Sequence, residues 1–295
     1  MVKTLSFGAW VEAMAVSPGG SRLYVARDDR GVGSHTLVLR ARDYAVVDSF
    51  KCDASTVGLT ALPDGKYVYV GDDPYLGWIG DISVVRTADG SVVKDIPALY
   101  DPAVLAATSD SRFVYVGSSR LGRVLVIRTE DNTVVDTIVS SGPTNALVVS
   151  PDGSRVYVAA EHLYVVSGSD NTAVDSLLPG FSPLGLAALP DGSALYAAGF
   201  SDTGMLYVLG LLDNSVQDSI VTPTRFHNLV ALPGGRFVYA SSPDDSSVYV
   251  IRTSDDSVIE RIPVGCEPTG LVVHPDGSRV YVTSLDPGNV VVIGY

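Results

Sequence analysis

The sequence predicts an all-β, seven-bladed β-propeller with four-stranded blades, its ring closed by an N-terminal strand that completes the last blade. Three observations predict it. One hairpin phrase recurs along all 295 residues: "VSPGGSRLYVA", "ALPDGKYVYVG", "ATSDSRFVYVG", "VSPDGSRVYVA", "ALPDGSALYAA", "ALPGGRFVYAS" and "VHPDGSRVYVT". Tyr24, Tyr69, Tyr115, Tyr157, Tyr196, Tyr239 and Tyr281 hold one register within it, about forty residues apart, and such a period in a strand-rich chain means radial or solenoidal repetition. The two ends complement each other: the last repeat stops after a third strand, "NVVVIGY", while the chain opens on an orphan strand, "VKTLSF".

Each element follows from local chemistry. The hairpin joins a short apolar run to an alternating one through Pro, Asp and Gly, residues that suit a tight reversal. After it come a polar loop and two more strands, as in "RVLVIRTEDNTVVDTIV" and "SVYVIRTSDDSVIERIPV". Four strands per period make a propeller blade. Pairing the orphan first strand with the last repeat hides an otherwise open sheet edge. Residues 1–295 are then a single domain with no linker left over.

Composition restricts the function. With 46% hydrophobic residues the chain can bury a large core, and its net charge of −13 argues against nucleic acid and anionic membrane surfaces as partners. No run of eighteen apolar residues is present to span a bilayer. The opening "MVKTLSFGAWVEAMAVS" imitates an export signal, but Glu12 interrupts it and the repeat needs these residues as strands, so a cytoplasmic monomer is expected. Cys52 and Cys266 are too few for a disulfide framework. There is no G-x-S-x-G, H-E-x-x-H or P-loop motif. The Asp pairs at 28–29, 72–73, 244–245 and 255–256 lack calcium-loop spacing and are expected in solvated turns.

Propeller geometry sorts the remaining residues. Strands alternate direction, so the links between blades share a face with the loops joining strands two and three, opposite the Pro-Asp-Gly turns. Counting back from each turn, the residue entering the innermost strand is Glu12, Val57, Ala103, Asn145, Leu184, His227 or Thr269. These should ring the channel mouth. Blade links add Tyr100, Asp101, Thr144, Arg225, Phe226 and Glu267, and longer loops add Tyr75 and Trp78. Aromatic groups beside a few charges suit a small-molecule or peptide ligand. His227, Glu267 and Glu12 come from blades six, seven and one, and could together hold a divalent cation or act as a general base. His274 precedes a turn on the opposite face and is expected to be structural, whereas His35 and His162 lie in loops on the candidate face.

The phrases "PDGSRVYV", "PDGKYVYV" and "IPVGCEPTGLVVHPDGSRVYVTS" resemble the YVTN family of seven-bladed propellers over the full chain. That resemblance implies the fold and is poorly specific for function. It departs at Arg40, Arg86, Arg128 and Arg252, where the family usually has Asp. A weaker similarity to virginiamycin B lyase-type propellers implies magnesium and an elimination at His227 and Glu267, although Thr269 stands where those enzymes have a second histidine. The expectations are therefore a ligand-binding propeller first, a metal-assisted lyase or lactone hydrolase second, and a protein-interaction scaffold third.

Overall fold

The computed structural model describes residues 2–28, 34–51, 54–74, 79–177, 181–200, 204–284 and 288–294. Their strands form seven four-stranded antiparallel sheets in a ring, a seven-bladed β-propeller. Six blades run in chain order: 10–51, 55–97, 104–139, 146–177, 182–221 and 229–263. The seventh combines Pro268–Val273, Arg279–Ser284 and Asn289–Gly294 with the first strand, Val2–Ser6, which pairs antiparallel with the last from Val2 opposite Ile293 to Ser6 opposite Asn289. The inner strand of each blade packs against those of both neighbours, and that of blade seven against that of blade one. At this seam the Phe7 N–H donates to the Gly288 carbonyl at 3.1 Å. Gly288 has φ 75°, and a Cβ there would meet the Ala9 carbonyl oxygen at 1.8 Å, so only glycine admits the crossing.

The turn chemistry appears as the repeated phrase requires. Gly20, Gly65, Gly153, Gly192, Gly235 and Gly277 take positive φ, and Ser111 does so in blade three, where the phrase reads "SDS". The preceding Asp accepts main-chain N–H groups, as from Lys66 to Asp64 at 3.0 Å and from Ser278 to Asp276 at 2.8 Å. The second turn of each blade, between strands three and four, explains the arginines. Arg40, Arg86, Arg128 and Arg252 reach Asp43, Asp89, Asp131 and Asp255 at 2.9, 3.0, 2.6 and 2.6 Å, exposed pairs that shape the turn and add little stability.

The tyrosine register has a physical cause. All seven tyrosines are buried, and four donate to the left-handed turn residue of the next blade. Tyr115 Oη reaches Asn171 Oδ1 at 3.0 Å and Tyr157 Oη reaches Asn214 Oδ1 at 3.3 Å, while Tyr69 bonds Asn132 and Tyr196 bonds Asp256. At the seam, the Tyr281 ring stands edge-on to Tyr44, which occupies the same turn position, with centroids 6.4 Å apart. Burial pushes the Tyr115 hydroxyl up to about 12, keeping it a donor at any ordinary pH. Replacing Tyr115 with Phe should cost about 1–2 kcal/mol, because Asn171 Oδ1 loses its donor while the packed ring is kept. Equilibrium denaturation measures this, and unchanged stability would remove the interlock from the account.

The blade rims are also protected. The outermost strands carry Asp48, Asp136, Asp175 and Asp218, each accepting the N–H of the following residue at 2.9, 2.7, 2.8 and 2.7 Å. An edge N–H held by its neighbour's carboxylate is poorly available to another chain, and a register shift beside each of these residues bends the edge further.

Candidate functional site

The channel mouth is built by a repeated irregularity. In blades one, two, five and seven the ladder between the first two strands skips one residue, and the skipped residues are Glu12, Val57, Leu184 and Thr269. A residue without an opposite partner is released from the pleat, which re-aims its side chain. In blades three, four and six the paired strand starts later, at Val104, Ala146 and Leu229.

Within the ring of inner strands lies a cavity of about 370 Å³. Glu12, Val57, Ala103, Asn145 and Thr269 line it. In blade six the lining residue is Asn228 rather than His227, and in blade five it is Leu186 rather than Leu184. Two positions further along each inner strand stand Met14, Leu59, Leu105, Leu147, Leu186, Leu229 and Leu271, and all seven line the same cavity. The wall is thus an aliphatic girdle beneath a rim of few polar groups. Asn145 Nδ2 is tied to the Pro183 carbonyl of the next blade at 3.0 Å, and the Thr269 hydroxyl lies 3.1 Å from that of Thr283.

Glu12 is the ionisable group of that lining. Burial, then the charges of Asp28 and Asp101, raise its pKa to about 7. Its surroundings are acidic across blades one to three. Asp28 is 1% exposed and accepts from Ser55 Oγ at 3.0 Å; Asp72 is 3% exposed and accepts from Thr56 and Ser83 at 3.2 and 2.9 Å. These two do not sit in solvated turns, as their pairing with Asp29 and Asp73 in sequence suggested. They close the ends of second strands and face polar side chains. Asp73 is raised by burial and by Asp101, against the pull of Arg120, whose guanidinium lies 3.9 Å from Asp73 and 3.5 Å from Asp101. The sequence signal was faint: Asp28 ends an alternating strand, "YVARD", and Asp72 is the last residue but one of another, "YVGDD".

The other expected residues are distributed differently. His227 is half-buried; burial lowers its pKa, the Asp244 charge opposes this, and Arg225 adds to it. Glu12 answers to Asp28 and Asp101, so the two groups lie under different charges. Arg225 grips Asp244 with two bonds of 2.7 and 2.8 Å. Glu267 is exposed and is not among the residues lining the cavity. Phe226, expected on the ligand face, is a core residue: it is fully buried between blades five and six, its ring 5.1 Å from that of Tyr249. Tyr100 is 36% exposed and its carbonyl accepts from Ser118. Tyr75, Trp78 and Cys52 lie outside the described residues. Cys266 is buried and free, and burial pushes its thiol up.

Among the described residues no group of three or more His, Cys, Asp and Glu is placed to hold a metal ion, so Glu12, His227 and Glu267 do not form such a group. His274 is structural, spanning Asp276 at 2.6 Å and the Gly20 carbonyl at 2.8 Å. No helix of the described residues is long and apolar enough to cross a membrane.

Closed ring, aliphatic girdle and one-sided acidic mouth define a seven-bladed β-propeller with an accessible central cavity. Among solved structures, a chain of Kuenenia stuttgartiensis hydrazine synthase superposes with a TM-score of 0.81 at 17% identity, over 99% of this chain and 97% of that one. The likeness is one of fold. No family model matches the chain, and no curated protein matches it in sequence.

Proposed function

We propose that this propeller is a binding protein that takes a small molecule or short peptide into the channel mouth, with Glu12 as its polar anchor. One observation carries the reading: a single carboxyl with a raised pKa in an otherwise uncharged and largely aliphatic cavity wall. A concave apolar site with a few converging polar groups is the usual form of a small-ligand site. Asn145 and Thr269 would supply the further hydrogen bonds. The YVTN-like repeat wording supports grouping the chain with propellers of that type, which is compatible with this role.

Fragment soaking or amide-shift mapping of the full chain tests the proposal. Bound fragments should perturb Glu12, Asn145 and Thr269, and Glu12→Gln should weaken them; fragments that settle only elsewhere would sink the idea.

A stability signature accompanies it. The folded pKa of Glu12, about 7, lies above the ordinary carboxylate value of 4.5, so the folded state binds this proton more tightly than the unfolded chain. The resulting stabilisation is present at low pH and is lost as pH rises from about 4.5 through about 7. Above that window the ionised carboxylate strains the fold, by on the order of 1 kcal/mol after allowing for solvent screening. Glu12→Gln should therefore raise the melting temperature at pH 8 more than at pH 5. Equal effects at both values would show that Glu12 titrates normally.

A further inference from the structure

The turn face, opposite the channel mouth, carries grooves where the hairpin of one blade leans over the third-strand end of the next. Two of these grooves are equivalent in construction. Between blades four and five, Arg155 Nη1 donates to the Leu211 carbonyl at 2.8 Å; between blades seven and one, Arg279 Nη1 donates to the Ala41 carbonyl at 2.8 Å. The first encloses about 230 Å³ and the second about 360 Å³. Because the scaffold is the same, differences in lining come from side chains alone, and the repeat serves as its own control.

The substitutions all run one way. Where the four–five groove has Asp191, blade one has Gly19; where it has Gly210 and Leu212, blade one has Arg40 and Arg42; where it has Ser150, blade seven has His274. Asp152 and Asp191 line the first groove, whereas the second is lined by Gly20, Ser21, Arg40, Ala41, Arg42, His274 and Arg279, with no carboxylate. Lys3 lies close by, its ammonium 4.6 Å over the Tyr44 ring that Arg279 also approaches at 6.0 Å. The nearby carboxylates are Asp43, 2.9 Å from Arg40 and 3.7 Å from Arg42, and Asp276, bonded to His274. Four cationic side chains thus face two carboxylates, on a protein whose net charge is −13.

We propose that the groove between blades seven and one is an anion site for a phosphoryl group, with Arg42 and Arg279 as its donors. A guanidinium presents a planar fork that matches phosphate oxygens in pairs. Arg279 is held in place by the Ala41 carbonyl, and the Arg42 side chain, 3.7 Å from Asp43, is 77% exposed and accessible to a ligand. His274 is fixed against Gly20 and shapes the wall; a Cβ at Gly20 would come within 2.5 Å of its ring.

The test is a titration of the full chain with inorganic phosphate and with phenyl phosphate at low ionic strength, read by backbone amide shifts. Saturable shifts are expected at Gly20, Ser21, Arg42 and Arg279, with none at Asp152, Arg155 and Asp191. Arg42→Ser removes one donor, and Gly19→Asp introduces the acid that five of the other six repeats carry, at a point where a new Cβ meets nothing within 4 Å. Each should weaken binding about tenfold. Tighter binding of phenyl phosphate assigns the site to organic phosphates, and equal binding assigns it to free phosphate; both support the proposal. The absence of saturable shifts, an equal response in the groove between blades four and five, or unchanged affinity in both variants would overturn it.

Discussion

Phe226→Ala should lose about 3–5 kcal/mol of stability, the usual consequence of emptying a fully buried aromatic site. Phe226 is 0% exposed, in a cluster with Tyr196, Leu206, Leu229 and Tyr249 that joins blade five to blade six. Truncation removes its transfer free energy and leaves a cavity that two rigid sheets cannot collapse to fill. The residues on either side should behave differently. Arg225→Ala loses an exposed ion pair with Asp244, and His227→Ala trims a half-buried ring, so each should cost no more than about 1 kcal/mol. Urea denaturation of the three variants gives the comparison directly. A Phe226→Ala protein as stable as Arg225→Ala would mean that the blade interface is not packed as described.

Deleting residues 1–8 should lower the melting temperature by roughly 8–15 °C. The first strand supplies a five-residue ladder to Asn289–Gly294, and Leu5 and Phe7 pack half-buried against the cluster that holds Val290 and Val292. Partial burial of two large side chains and several ladder hydrogen bonds sum to about 4 kcal/mol. The deletion also bares the last strand as an unprotected edge, so the truncated chain should self-associate more than the full chain. Calorimetry and size-exclusion chromatography report the two effects. A monomeric truncation with an unchanged transition would refute closure by this strand.

The blades were legible because each depends on short-range chemistry written seven times. A turn of Pro, Asp and Gly beside alternating apolar residues has few folded outcomes, and seven copies leave one ring size. The channel-mouth positions were legible for the same reason: Glu12, Val57, Ala103, Asn145 and Thr269 line the cavity at the register counted from the turns. Phe226 was misplaced because its type and neighbours, "TRFHN", do not say which side of the link faces the core. Alternation breaks down at links, and only the approach of Tyr196, Leu206, Leu229 and Tyr249 makes that side an interior. Asp28 and Asp72 were misread for a related reason. Adjacent acids in a polar stretch usually face water, and their burial is made tolerable by Ser55, Thr56 and Ser83, of which only Ser83 lies within a dozen residues of its acceptor.

Sequence alone therefore determined the all-β class, the number of blades, the closing strand and five of the seven positions around the channel, since these follow from local periodicity and from the matching of two incomplete ends. Tertiary structure alone decided which charged groups come together. It gave Glu12 its raised pKa through Asp28 and Asp101, joined Arg225 to Asp244, and gathered Arg40, Arg42 and Arg279 at the seam between the last blade and the first. Charges interact through space according to distance and burial, and neither quantity is set by separation along the chain.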